Sequence, residues 1–263
     1  MVKLIESWHS IQFNTETWVI EYQACFLLSS AVDELMAAAD PDSIIVINLS
    51  PYRCDAFLIQ RDRIRLLELP DLNLEEVQKR VQLLQSSRPD LVPLLEWFWD
   101  VVARPSLDAL GFTKTVSDDE FSRVWWIPTG LLSQLPLHAA GRHQQGSTET
   151  VLDRVMSSYA SSVKALVYGR RHRIRNPTGP PSDHALLIAM CETSNNSTLP
   201  FVKKEVEVLN DLCRSLQLKS ITLTKPLRDD VLKYLQDCRI FHFAGHGRSD
   251  PMEPSQSCLL LED

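Results

Sequence analysis

The period of apolar positions changes several times along the chain. Residues 1–40 read as helix: "TWVIEYQACFLLSSAVDELMAAAD" has apolar residues at helical spacing and stops before Pro41. From Ser43 the pattern becomes β-rich. "SIIVINLS", "CDAFLIQ" and "RIRLLELP" are separated by "PYR" and "RD", which predicts a strand meander. Residues 73–110 return to helix, and the rings of Trp97, Phe98 and Trp99 read as core groups rather than a ligand box. "VWWIPTGLLSQLPLHAAG" starts as a strand, breaks at Pro128-Thr129-Gly130 and continues through Pro136 to His138.

"NPTGPPSDH", Asn176 to His184, holds three prolines and a glycine and reads as a linker. A regular alternation follows it. "ALLIAM" is a buried strand, and "VKKEVEVLNDLCRSL" is a helix with Val202, Val206, Leu209, Cys213 and Leu216 on one stripe. "SITLT" is a second strand. "PLRDDVLKYLQDC" is a second helix, with Pro226 in its first turn and Leu227, Val231, Leu232 and Leu235 on one face. "RIFHFA" is a third strand. This order predicts a parallel sheet with helices on its faces.

Composition narrows the function classes. The 263 residues suffice for one large or two small domains, and 44% hydrophobic with 23% charged residues is an ordinary globular balance. The formal net charge of -7 argues against a nucleic-acid or anionic-membrane partner. The basic cluster "GRRHRIR", Gly169 to Arg175, reads as a solvated helix end. No apolar run approaches the ~18 residues of a membrane span. The N-terminus has no signal-peptide hydrophobic region. Six scattered cysteines without a CxxC pair disfavour both a zinc ribbon and a disulfide scaffold, so a cytoplasmic protein is expected.

The candidate chemistry lies in "RIFHFAGHGRSD". In open α/β sheets, sites form beyond the carboxyl ends of strands, and His246 stands just past such an end. An imidazole can take a proton near neutral pH. Gly245 and Gly247 are expected to let the backbone turn sharply and a substrate approach the main chain. The Gly247 N–H could serve a developing oxyanion. The motif alone fits a turn histidine equally well. His242 and His246 form HxxxH, but in a strand at ~3.3 Å per residue the rings stand ~13 Å apart, too far for one metal. His242 therefore reads as a buried, hydrogen-bonded core histidine. "GHGRSD" lacks the spacing of a phosphate loop.

Taken in order, "VWWIPTGLLSQLPLHAAG", "VMSSYASSVKAL" and "IFHFAGHG" resemble CHAT domains, caspase-like cysteine peptidases commonly joined to tetratricopeptide repeats. "IIVINLSPYRCDAFLI" and "LLEWFWDVVARPSLDALGF" resemble the N-terminal subdomain of these proteins, especially fungal ones. The resemblance covers roughly residues 43–263. It implies three parts: a helical stub at 1–40 that ends a repeat region, an α+β subdomain at 43–175, and a partial caspase-like α/β core at 184–263. That core would be a three-layer, parallel-sheet domain.

The resemblance further implies peptide-bond hydrolysis by a His-Cys dyad without a cofactor. His246 would be the base and Gly247 the glycine that follows it. The partners implied are a protein or peptide substrate and adjoining helical repeats. The nucleophile belongs at the end of the next parallel strand, in an "LSAC"-like segment, and no "SAC" occurs before Asp263. "QAC" at Gln23 to Cys25 lies upstream in a helical stretch, and Cys258 in "SCLLLED" reads as structural. Truncation before the nucleophile is therefore expected. The chain as given would be inactive, and the strand ending at Ala244 would expose an edge that belongs inside a complete sheet. The alternative is a non-catalytic scaffold or protein-interaction module of the same descent. A nucleotide-binding α/β domain rests on fold class alone.

Overall fold

The computed structural model describes residues 31–84, 90–116, 121–175, 183–235, 238–248, 250, 253 and 256–262. Most of the expected helical stub, Cys25 and most of the expected linker lie outside them. The described residues divide into two compact units, with the boundary in sequence between Arg175 and Asn176.

The first unit is built on a five-stranded sheet of order β3-β2-β1-β4-β5. β1 (Ser43–Asn48), β2 (Asp55–Ile59) and β3 (Ile64–Glu68) form the expected antiparallel meander. The sheet continues beyond it: β4 (Arg123–Pro128) pairs parallel to β1, and β5 (Met156–Tyr159) pairs parallel to β4. β1 lies at the centre, and its near-continuous apolar run is covered on both faces. Successive side chains point to opposite faces of a strand. Ile45 and Ile47 accordingly join one core cluster, and Ile44 and Val46 the other.

The face under Ile45 packs α2 (Leu74–Leu84), α3 (Val92–Phe98) and α4 (Arg104–Leu110) through Val77, Leu94, Phe98 and Leu107. α1 (Val32–Ala38) and α5 (Val163–Arg175) cover the opposite face through Ala38 and Leu166. Phe98, Trp99 and Trp126 are fully buried, as expected for core aromatics, while Trp97 packs at the edge of the same cluster. A π-helical turn, Trp99–Ala103, joins α3 to α4. Pro105 explains it: proline has no N–H to give, and its ring opposes the carbonyl four residues back, so the preceding turn widens. α4 ends at Gly111, whose φ of 91° is left-handed. The Phe112 N–H reaches the Leu107 carbonyl at 2.9 Å, and the Gly111 N–H reaches Asp108 at 3.0 Å, which closes the helix.

The second unit holds a three-stranded parallel sheet of order β7-β6-β8, formed by β6 (His184–Ala189), β7 (Lys219–Thr224) and β8 (Ile240–Ala244). α6 (Val202–Ser215) packs Val202, Val206 and Cys213 on the face carrying Ala185, Leu187 and Ala189. α7 (Arg228–Leu235) packs Val231 on the opposite face, against Leu186 and Ile188. The α/β alternation thus gives helix, sheet and helix layers.

Three details differ from the sequence reading. Pro226 stands two residues before α7 rather than in its first turn. Leu216 stands past the end of α6 and is exposed, because the helix stops at Ser215. Leu227 precedes α7 and is half exposed; its N–H donates to the Asp230 carboxylate at 3.3 Å, which caps the first turn.

The two-residue strands β9 (Gly247–Arg248) and β10 (Cys258–Leu259) pair antiparallel just beyond β8. Overall the chain is a mixed α/β structure with parallel strands in both sheets. No helix among the described residues is long and apolar enough to cross a membrane.

Candidate functional site

His246 sits at the point in the second sheet where connections leave in opposite directions. From β6 the chain runs to β7 on one side, then crosses back to β8 on the other. A crevice opens between the carboxyl ends of two strands whose loops diverge in this way. The loop after β8 carries His246, and the loop after β6 carries Thr193. The His246 Nδ1 and the Thr193 hydroxyl are 3.3 Å apart.

Backbone bonds hold the loop on both sides. The Met190 N–H donates to the Ala244 carbonyl at 2.8 Å, and the Leu260 N–H donates to the His246 carbonyl at 2.9 Å. The second bond fixes the phase of the β9–β10 ladder. Gly247 faces Leu259 as a pair that exchanges no hydrogen bond, so its N–H points away from β10. The ring of His246 is half-buried, and Gly247 is exposed.

The sharp turn expected of the two glycines is not found. Neither has a left-handed φ, so neither is there to permit a sharp turn. A Cβ on Gly245 would fall 2.8 Å from the Met190 Cβ and 2.8 Å from the Phe243 Cζ, so this position is glycine because β6 and β8 crowd it. A Cβ on Gly247 would meet nothing closer than the Cys258 carbonyl oxygen at 3.6 Å, an ordinary contact. The bare backbone at Gly247 is therefore open to solvent and to anything that approaches the loop.

His242 also departs from expectation. It is half-buried rather than buried, and its Nε2 meets the Glu205 carboxylate of α6 at 2.9 Å. The pairing occupies that nitrogen and separates His242 from His246 in role as well as in position. Among the described residues no group of three His, Cys, Asp or Glu could hold a metal ion. No described cysteine sulfur is hydrogen-bonded to His246. The Cys258 side chain, on β10, is partly buried.

Thr193 and Glu205 were not singled out from the sequence. Thr193 becomes legible once the strand order is known, because a residue past the end of β6 then faces one just past the end of β8; Glu205 becomes legible once α6 is seen to pack on the sheet face beside β8. Pattern and spacing predict three parallel strands but not their order.

A base held at one nitrogen, beside an outward main-chain N–H, can take a proton and stabilise a developing negative oxygen. No curated protein matches the chain. A comparison with known protein families matches residues 92–263 to the CHAT domain, a stretch that starts at the head of α3, takes in the rest of the first unit and ends beyond the His246 loop. Residues 43–91, for which the same resemblance was expected, lie outside the match. With nearly two thirds of its residues matched, and with α/β units of parallel strands to carry them, the chain belongs to the CHAT-domain family.

Proposed function

We propose that the chain carries the histidine half of a caspase-like cysteine peptidase site. His246 is the general base, Gly247 supplies an N–H to the oxyanion, and Thr193 orients the imidazole through Nδ1. The observation that carries this reading is His246 at the β6/β8 divergence, with Nδ1 engaged by Thr193 and Nε2 left for the reacting thiol. In the reaction, a thiolate attacks the scissile carbonyl of a peptide, and the imidazole holds the thiol proton. The C–N bond then breaks as the imidazolium gives that proton to the leaving amine. Water completes the cycle by hydrolysing the thioester. The thiol would come from a strand paired with the outer side of β8, which has no partner among the described residues.

A second reading, a non-catalytic protein-interaction module, is favoured by one observation: the side-chain partner of His246 among the described residues is the Thr193 hydroxyl and not a cysteine sulfur. The test is a peptidyl acyloxymethyl ketone probe applied to the natural protein in cell extract, followed by mapping of the labelled cysteine. Labelling abolished by His246→Ala and reduced about fivefold by Thr193→Val, the loss of one hydrogen bond, supports the peptidase. A folded protein with no His246-dependent labelling overturns it and leaves the interaction module standing.

A further inference from the structure

We propose that the first unit carries a separate binding site for an uncharged, extended polypeptide segment, at the carboxyl ends of β4 and β5. A cavity of about 850 Å³ opens there, lined among the described residues by 128–130, 133–136, 138 and 159–161, all of this unit. That volume falls in the range of specific ligand sites.

Its polar floor is organised. The His138 main-chain N–H donates to the Tyr159 hydroxyl at 2.8 Å, and the same hydroxyl lies 3.0 Å from the His138 Nδ1. The phenol oxygen accepts the first bond, and the second contact fixes the orientation of the imidazole, whose ring packs edge-on at 90° to Tyr159. The Ser133 hydroxyl is committed to the Gly130 carbonyl at 2.8 Å. The Gln134 amide and the Ser161 hydroxyl hold no partner among the described residues and line the same space.

The chemistry selects the ligand class. Among the described residues no lysine, arginine, aspartate or glutamate lines the cavity, so none of them compensates a phosphate, a carboxylate or an ammonium group there. A carboxamide that offers one donor and one acceptor matches a peptide group, and the His138 imidazole, which also lines the cavity, adds a second polar group. Pro128, Leu135 and Pro136 supply apolar walls. β5 adds the direction. It has β4 as its one partner among the described residues, so its outer edge presents main-chain groups to an incoming strand. A peptide laid along β5 would run onto the cavity at Tyr159. Strand addition supplies affinity through the main chain, and a pocket beside it supplies selectivity. The site does not depend on whether His246 is catalytic.

The test uses the full chain with ¹³C-labelled histidine rings and two capped hexapeptide pools. One pool is built from Ala, Leu, Pro, Ser, Thr and Gln; the other carries Asp or Lys at every second position. The His138 signal is assigned by its loss in His138→Gln. The proposal expects the uncharged pool to shift His138 and leave His246 unmoved. Tyr159→Phe should weaken binding about fivefold, as the loss of one hydrogen bond does. Ser161→Trp, which fills the cavity from an exposed position, should abolish the shift in a chain that melts normally. A shift of His246 without His138, equal or tighter binding of the charged pool, or no response of His138 to either pool overturns it.

Discussion

The two units solve the same packing problem with unequal material. Each is centred on one apolar strand whose alternate side chains feed two cores, β1 in the first and β6 in the second. In the first unit those cores are broad, with Phe98, Trp99, Trp126, Leu107 and Leu132 all out of water. In the second they are thin. β7 is exposed at every second residue or more, and β8 leaves Ile240 at 40% and Phe241 at 38% of their full exposure. α6 carries Val208 and Leu212, both at least half exposed, beside its buried stripe. The lesson concerns division of labour. The unit with the large core can hold a rigid frame, whereas the unit with the candidate base is ordered by one strand and two short faces. Local opening follows the density of buried apolar contacts.

The sharpest way to break this comparison is to remove one core side chain from each unit. Trp126→Ala takes a wholly buried indole from the first, together with its hydrogen bond to the Ser157 hydroxyl at 3.0 Å. The expected cost is about 3–5 kcal/mol. Ile188→Ala in β6 should cost about 2–5 kcal/mol, and it should fall on the second unit alone. Hydrogen exchange followed by mass spectrometry reads both. Peptides from β1 and β4 should exchange slowest in the parent chain and those from β8 faster. β8 protected as well as β1 would mean the thin core is not the weaker one.

A smaller effect separates folding from chemistry within the second unit. Gly245→Ala pushes a methyl group into Met190 and Phe243 and should lower stability by about 1–3 kcal/mol, as overpacking does. Gly247→Ala has room for its methyl and should leave the melting temperature unchanged, while slowing His246-dependent probe labelling if a substrate backbone comes close there. Calorimetry on both variants checks the pair. Equal destabilisation would show that Gly247 is held by packing and not by what approaches it.

How much of this was legible in the sequence depended on range. Period and punctuation identify β1–β3, β6–β8 and both helices of the second unit, because each is settled by residues a few positions apart. Pairing across long separations is not. β4 pairs with β1 across the whole helical segment, and neither run shows this; only the shared need to cover Ile44 and Ile45 on opposite faces brings them together. The same holds at the site. The "GHG" run points to His246 at once, but its partner Thr193 lies in a polar loop after β6, and it is strand order that makes the two neighbours. The error over the glycines has the same source. Freedom of φ is a local argument, whereas the demand on Gly245 comes in part from Met190, just past the end of β6. His242 was read as buried because its strand is apolar, but β8 is an edge among the described residues, and Glu205 reaches it there.

The smallest expected effect tests the first unit's rigidity at its rim. Burial raises the Tyr159 phenol above the ordinary tyrosine value, and the His138 N–H bonded to its oxygen partly opposes that shift. The folded state therefore holds the phenol proton more tightly than the unfolded chain does. The stability this contributes is fully present below the unfolded value near pH ~10 and is lost as pH rises through the folded one. The sign is opposite to that of a carboxylate such as Asp183, whose pKa is lowered by the hydrogen bond from Lys219 and which gives up its share only as pH falls. The chain should thus lose stability in alkali, and Tyr159→Phe should flatten that part of the profile while removing two hydrogen bonds at all pH values. Urea melts of both proteins between pH 8 and roughly pH 11 separate the two contributions. A constant difference across the range would mean that the phenol is as free to ionise in the fold as in water, and that burial at the rim of the cavity does not hold its proton.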